Sequence, residues 1–307
     1  RLLSLTPLLT ARAGEGHVRR CHGDLHLGNL LLWDGKPTAF DALEFDEDYA
    51  RVDTGYDLAF LLMDLQVRVS PAAANRVMNR VLARSGDYGM LPALPFWLAQ
   101  RALVRAKLEP ARGRPALPYL DAAERYMRHA QPRLVAVGGL QGTGKTRLAR
   151  AFAPDLGRSP GAVHLRTDEL RKRRAGVAPE DRLPPTAYAE SESLAVHAEL
   201  FATAHAALAA GYTVVLDAVF LDPAHRGTAE SVARGAGVPF TGLWLEAPLD
   251  LLRARVNARA GDASDATEAV VLRAAAVDPG AITWHRLDAS GDPLAAARDL
   301  LALPTGA

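Results

Sequence analysis

The sequence predicts an α/β protein in which a parallel sheet, covered by helices on both faces, follows a mainly helical region. Three observations predict it. From about Pro132 onward, short apolar runs alternate with helical stretches, as βα units require. A glycine-rich segment, Gly139–Thr146, stands between the first of those runs and the first of those helices. Before Pro132, apolar residues recur at helical spacing. A length of 307 residues suits about two domains, and the change of period near Gln131–Pro132 divides the chain into 1–131 and 132–307.

Composition narrows the function classes. With 49% hydrophobic and 23% charged residues, the chain is an ordinary globular one, neither disordered nor fibrous. Thirty-six basic against 35 acidic residues leave a formal charge of +1, so no global field favours nucleic acid or an anionic membrane. Nucleic acid is therefore not an expected partner. A single cysteine, Cys21, excludes an intramolecular disulfide and suits a reducing compartment. No apolar run approaches the ~18–20 residues of a membrane span, and the opening Arg-Leu-Leu-Ser-Leu-Thr-Pro lacks a signal peptide's apolar core. The expected location is the cytoplasm. Because the first residue is Arg, the chain is expected to begin inside a longer polypeptide. None of these features sets the oligomeric state.

In chain order, Leu30–Trp33, the turn Asp34-Gly35-Lys-Pro37 and Thr38–Phe40 read as a short hairpin. Asp41–Asp48 is an acidic, loop-like stretch. Asp57–Leu65 and Pro95–Leu108 place apolar residues at helical spacing, with Asp or Arg marking the wet face. In the second part, Leu134–Val137, Ala162–Leu165, Thr213–Leu216 and Phe240–Leu245 read as strands, and Tyr188–Ala210 and Pro248–Arg259 as helices. Gly211 ends the first of those helices as a left-handed cap. Arg171-Lys-Arg-Arg174 is the one strong charge run. It reads as a solvated helix face or an anion contact.

Gly139-Leu-Gln141-Gly142-Thr143-Gly144-Lys145-Thr146 fits the phosphate-loop pattern G-x-x-x-x-G-K-[ST] at every fixed position. Glycines let successive backbone N–H groups converge on phosphate oxygens, and the following helix N-terminus adds partial positive charge. Lys145 is expected to reach the β/γ-phosphates of ATP and the Thr146 hydroxyl to ligate Mg²⁺. Asp217 ends an apolar strand, where a second Mg²⁺-supporting carboxylate belongs. Asp168, after the strand ending at Arg166, is a candidate to take the proton of an attacking hydroxyl. Arg166, Arg171 and Arg174 could hold an anionic acceptor. Arg255 and Arg259, four apart on one helix, are expected to close over the triphosphate and neutralise developing charge.

Region 134–290 resembles small P-loop kinases of the AAA-labelled predicted-kinase group, relatives of gluconate, shikimate and zeta-toxin kinases. The carrying stretches are Gly139–Thr146, Leu165–Arg174, Val214–Asp222 and Arg259–Asp265. The resemblance implies Asp168 as acceptor-side acid or base and lid arginines on the nucleotide.

Near the amino terminus, His22-Gly-Asp24-Leu-His26-Leu-Gly-Asn29 has the spacing of a protein-kinase-type catalytic loop. Its carboxylate accepts a hydroxyl proton, and an amide five residues on ligates magnesium. Asp41, returned by the hairpin, takes the place of a second metal-binding carboxylate. With Ala39–Phe45 and Asp53–Phe60, these residues resemble the C-terminal lobe of aminoglycoside-phosphotransferase-like kinases over about 15–127. Joined to the second half, the chain resembles bifunctional aminoglycoside phosphotransferase/ATP-binding proteins. The first twenty residues hold no lysine and cannot form that family's nucleotide-clamping lobe, so this half is expected to be truncated or degenerate. An upstream lobe of roughly 100 residues would restore it.

The expected function is transfer of the γ-phosphoryl of Mg-ATP to a hydroxyl of a small molecule. Two other readings stand beside it: a nucleotide-gated regulatory or scaffold ATPase, and a polynucleotide 5′-hydroxyl kinase using Arg171–Arg174.

Overall fold

A computed structural model describes residues 2–44, 46–258 and 263–303. The chain divides into two compact units, Arg1–Met78 with Asp87–His129, and Asn79–Gly86 with Ala130–Ala307. The second unit thus includes a short stretch that a single cut near residue 131 leaves in the first.

In the first unit α1 (Leu2–Gly14) precedes β1 (Val18–Arg20), the hairpin of β2 (Leu30–Trp33) and β3 (Lys36–Ala39), and then α2 (Glu47–Ala50) and β4 (Arg51–Asp53). Next come α3 (Thr54–Arg68), α4 (Pro71–Ser85), within which the division falls, α5 (Leu94–Leu108) and α6 (Leu117–Met127). The hairpin turns on Asp34 and Gly35, at φ 48° and 72°; two consecutive left-handed residues are what a two-residue hairpin needs, and an Asp-Gly pair supplies them. β1 pairs antiparallel with β4. Helices α3, α5 and α6 pack together, and Phe60, Leu62, Met63, Leu98, Ala102 and Tyr126 on them are buried.

The expectation that charges mark the wet faces of α3 and α5 is corrected here. Asp57, Asp64, Arg101 and Arg105 are all buried. Asp57 Oδ2 accepts from the His22 N–H at 3.1 Å and its Oδ1 from the Gly23 N–H at 2.9 Å, while Asp64 Oδ2 accepts from the Leu27 N–H at 3.0 Å. A loop without secondary structure must bond its backbone donors somewhere, and the helix carboxylates provide the acceptors.

In the second unit the order is β5 (Leu134–Gly139), α7 (Lys145–Phe152), β6 (Val163–Arg166), α8 (Thr167–Arg174), α9 (Glu190–Ala209), β7 (Val214–Asp217) and α10 (Pro223–Gly235). There follow β8 (Phe240–Glu246), α11 (Leu249–Asn257), α12 (Glu268–Ala275), β9 (His285–Asp288) and α13 (Leu294–Leu300). The five strands are parallel in the order β6-β7-β5-β8-β9. Every residue of β5, β6 and β7 is buried; β5 and Val214–Leu216 of β7 read as apolar runs, while β6 carries His164 and Arg166, and β7 carries Asp217, into the interior. Val135, Val137, Leu148, Phe152, Val215 and Leu287 form the core beneath α7. The chain lays β6 and β7 on one side of β5 and β8 and β9 on the other. The carboxyl end of β5 is therefore a topological switch point, where open α/β sheets form their binding crevice.

Candidate functional site

The loop after β5 occupies that switch point. Gly139, Gly142 and Gly144 have φ of 128°, 88° and 90°, conformations that side-chain-bearing residues rarely adopt. Their surroundings differ. A Cβ on Gly139 would stand 2.4 Å from the Leu245 carbonyl oxygen and one on Gly142 2.8 Å from that of Leu252, whereas one on Gly144 meets nothing within 4 Å. The first two glycines let neighbouring backbone close in; the third faces open space. Thr143 is turned inward, its hydroxyl donating to Leu140 O at 2.8 Å, and braces the turn. Gln141 is half-buried, its Oε1 without a hydrogen-bond partner among the described residues. Gly144 caps α7 with no side-chain bond, so the first amides of that helix are left for an anion.

These differences give paired outcomes. Gly139→Ala is expected to cost about 2–3 kcal/mol of stability, because the clash is with backbone. Gly144→Ala is expected to cost about 1–2 kcal/mol from left-handed strain alone while placing a methyl group in the cradle. Urea unfolding beside nucleotide titration checks both: the first variant loses stability, and the second loses mainly nucleotide.

Lys145 Nζ folds back over the loop, donating to Gly139 O at 2.8 Å and Leu140 O at 2.9 Å. The Thr146 hydroxyl donates to Asp217 Oδ2 at 2.6 Å, so the last loop residue and the end of β7 meet at one mouth. The same oxygen lies 3.2 Å from His164 Nε2 and 3.4 Å from Arg166 Nε. Burial alone would raise the Asp217 carboxyl, but the His164 hydrogen bond, Arg166 and Lys145 hold it well below the usual carboxylate range. It is a fixed anion. Asp168, in the first turn of α8, has the opposite environment: burial pushes its carboxyl up, Asp217 adds to this, and Arg166 and Lys145 oppose it. Ser264 hydrogen-bonds to it.

Arg255 donates to Ala289 O at 2.8 Å and Ser290 O at 3.1 Å. With Gly144, Arg147, Gly291 and Pro293 it lines a cavity of about 390 Å³ that adjoins the loop. Arg259 lies outside the described residues. The basic run of α8 is engaged internally: Arg171 donates to Ala187 O at 2.6 Å, Arg173 and Arg174 pair with Glu199, and Lys172 Nζ bonds Asp265 Oδ1 at 2.8 Å. It is not a solvated face, as Arg171 and Lys172 are buried. Sequence reading missed His164 as a partner of Asp217 and placed Arg166 on an acceptor. Residues 164 and 166 of a strand share one face, but only the β6-β7 pairing, in which Arg166 lies opposite Asp217, shows what that face meets.

In the first unit, Asn29 Nδ2 donates to Asp24 O at 3.0 Å and to Asp24 Oδ2 at 3.2 Å, and His26 Nε2 lies 3.4 Å from the same carboxylate oxygen. The His26 imidazole, aided by Asn29 and Arg101 against the effect of burial, holds the Asp24 carboxyl below its usual value. Arg101 donates to Gly23 O at 3.1 Å. Phe40 N–H donates to Asn29 O at 3.0 Å, so the hairpin brings the chain back beside Asn29 one residue before Asp41. Asp41 is exposed, with φ 60°. Replacing Asp57 by Ala would leave the His22 and Gly23 donors without partners, and a loss of about 2–4 kcal/mol is expected in chemical denaturation. Among the described residues no three His, Cys, Asp or Glu side chains cluster as a metal site.

Fold and loop together define the second unit as a P-loop nucleotide-binding domain. Residues 134–277 match the family model described as an AAA domain. The uncharacterized protein Rv2004c of Mycobacterium tuberculosis is 33% identical over 296 residues, covering 92% of this chain and 59% of that protein. The match takes in both units, and the chain spans under two thirds of that curated relative. Among solved structures, a gluconokinase from Sinorhizobium meliloti 1021 is 20% identical with a TM-score of 0.39, over 57% of this chain and 92% of that one. A sugar kinase from Janibacter sp. HTCC2649 is 18% identical with a TM-score of 0.43, over 56% and 95%. No helix among the described residues is long and apolar enough to cross a membrane.

Proposed function

We propose that the second unit transfers the γ-phosphoryl of ATP to a hydroxyl group of a small molecule. The observation that carries this reading is the meeting of Thr146 and Asp217 at 2.6 Å in front of the glycine cradle, with the Asp168 carboxyl within electrostatic reach of Asp217 and Lys145. Nucleotide phosphates would lie against the amides of Gly142–Thr146, with Lys145 leaving its loop carbonyls for phosphate oxygens. Base and ribose would fill the cavity walled by Arg255 and Pro293, so Arg255 acts from the nucleotide side.

Thr146 and Asp217 offer hard oxygen donors of the kind Mg²⁺ takes alongside phosphate oxygens, and they would hold it. When bound, Mg²⁺ neutralises charge on the β- and γ-phosphates. Asp168 has a different part. A carboxyl raised by burial accepts a proton more readily than an ordinary aspartate, which suits the group that orients the acceptor hydroxyl and takes its proton. Mg-ATP turnover with a panel of polyols, sugars and amino alcohols tests the reading: ADP release that depends on one acceptor class supports it. Turnover equal with and without every acceptor favours a nucleotide-gated ATPase instead. The polynucleotide reading lacks support, since the basic run it needs is engaged within the unit.

For the first unit we propose a catalytic loop of the aminoglycoside-phosphotransferase type, with Asp24 toward a hydroxyl and Asn29 and Asp41 toward metal. The Asn29–Asp24 hydrogen bonds support this, because they bring the two side chains together as the spacing predicts.

A further inference from the structure

An outer strand has backbone groups on one side with no strand to pair with, and β6 is the outer strand beside β7. The chain covers part of that edge from α4. Asn79, in the stretch of this helix that belongs to the second unit, donates from Nδ2 to Ala162 O at 3.0 Å and accepts at Oδ1 from the His164 N–H at 2.7 Å. A residue of a neighbouring parallel strand makes the same two bonds, donating to the residue before its partner and accepting from the residue after it. The carboxamide thus stands in for one peptide group opposite Val163, whose own N–H turns the other way, to Thr213 O at 2.9 Å. The helix is fixed nearby: Arg80 pairs with Glu180, and Arg173 donates to Ala83 O at 3.3 Å.

The residue held in this way is the one that reaches the site. His164 Nε2 lies 3.2 Å from Asp217 Oδ2, the oxygen that accepts from the Thr146 hydroxyl at 2.6 Å. Arg166 Nε approaches the same oxygen at 3.4 Å, from the same face of β6. His164, Arg166 and Asp217 are each at most 5% exposed, so a strand that slips has little solvent to replace the bonds it loses. Every link from Asn79 to the last residue of the glycine loop is a direct contact.

We propose that Asn79 is a positioning residue for the phosphoryl-transfer site: by completing the edge of β6 it sets His164 against Asp217 and so fixes the carboxylate that would hold Mg²⁺. The inference rests on the reading of Thr146 and Asp217 as the Mg²⁺ holders. Partners that orient a metal-binding group carry about 10–100-fold in metal affinity, and a residue one contact further out is expected to carry about 3–10-fold.

The test uses the whole chain and a fluorescent ATP analogue, titrated in EDTA and across a Mg²⁺ series. Asn79→Leu keeps the size of the side chain and removes both bonds; Asn79→Ala is read in its place if the leucine prevents folding. The Mg²⁺ concentration for half-maximal nucleotide binding should rise about 3–10-fold, while metal-free affinity stays within about twofold. Hydrogen exchange of the His164 amide should quicken at least about tenfold in the same variant, while the Val163 amide, bonded toward β7, keeps its wild-type rate. Asn79→Asp, which keeps an acceptor for the His164 N–H, should stay within about twofold of wild type in both measurements. In a chain already carrying His164→Gln, Asn79→Leu should add less than about twofold, because the residue it acts through is gone. Unchanged half-saturation in Asn79→Leu, an equal loss with and without Mg²⁺, an unquickened His164 amide, or an Asn79→Asp chain that behaves as Asn79→Leu does overturns the proposal. Wild-type nucleotide binding indifferent to Mg²⁺ overturns the reading of Thr146 and Asp217 and this inference with it. Metal-dependent binding that every Asn79 variant keeps overturns this inference alone.

Discussion

Asp168→Asn is expected to lower acceptor-dependent phosphoryl transfer by about 10²–10⁴-fold while Mg-ATP affinity changes little. The amide keeps the size of the carboxyl and can still hydrogen-bond to Ser264, but it cannot take a proton. Stability should move the other way from activity. Burial raises the Asp168 carboxyl above its unfolded value, so the folded state binds this proton more tightly than the unfolded one. The group therefore stabilises the fold most at low pH and gives that contribution up as pH rises from the unfolded pKa through the folded one. At neutral pH the native carboxylate is a burden that the neutral amide removes. Retained or raised thermal stability together with lost transfer is the expected signature, read by ADP release and a thermal melt. The wild-type activity should show an acid limb displaced upward from the ordinary aspartate range. Undiminished transfer by the asparagine variant would remove Asp168 from the reaction.

Much of the second unit was legible because buried parallel strands are mostly apolar, whichever face they present, with His164, Arg166 and Asp217 the polar exceptions that the site uses. β5 to β8 announce themselves in this way. β9 does not: in His285-Arg-Leu-Asp288 only Leu287 is buried, and an edge strand with three exposed residues carries no run to read. The same applies to β1, Val18-Arg-Arg20, exposed throughout and defined only by its pairing with β4. The phosphate loop was legible for another reason. Its constraint falls on the backbone, and glycine at fixed intervals is visible without knowing any neighbour.

Partners that depend on strand order or distant loops were hidden. Lys172 and Asp265 are 93 residues apart, and nothing local to either predicts their bond. Asp57 and Asp64 were misread as solvent-facing because helical periodicity treats every carboxylate as wet. It contains no information about amides from another segment that need an acceptor.

Lys145→Ala is expected to weaken Mg-ATP binding about 100-fold, or about 3 kcal/mol, the scale of a lysine ammonium lost from phosphate oxygens. The fold should survive. Lys145 is half-buried, and its hydrogen bonds to Gly139 O and Leu140 O stay within its own loop. Lys145→Arg should not rescue binding, since a planar fork cannot replace a compact ammonium in a cradle built around one. Titration with a fluorescent ATP analogue at fixed Mg²⁺ measures both variants, and unchanged affinity in Lys145→Ala would remove the basis of the phosphotransferase reading. The experiment also addresses the first unit. If nucleotide goes to the P-loop alone, Asn29→Ala leaves affinity at the wild-type value, and combining it with Lys145→Ala adds nothing. Residual binding in Lys145→Ala that disappears when Asn29 is also replaced would assign a second nucleotide site to the Asp24–Asn29 loop.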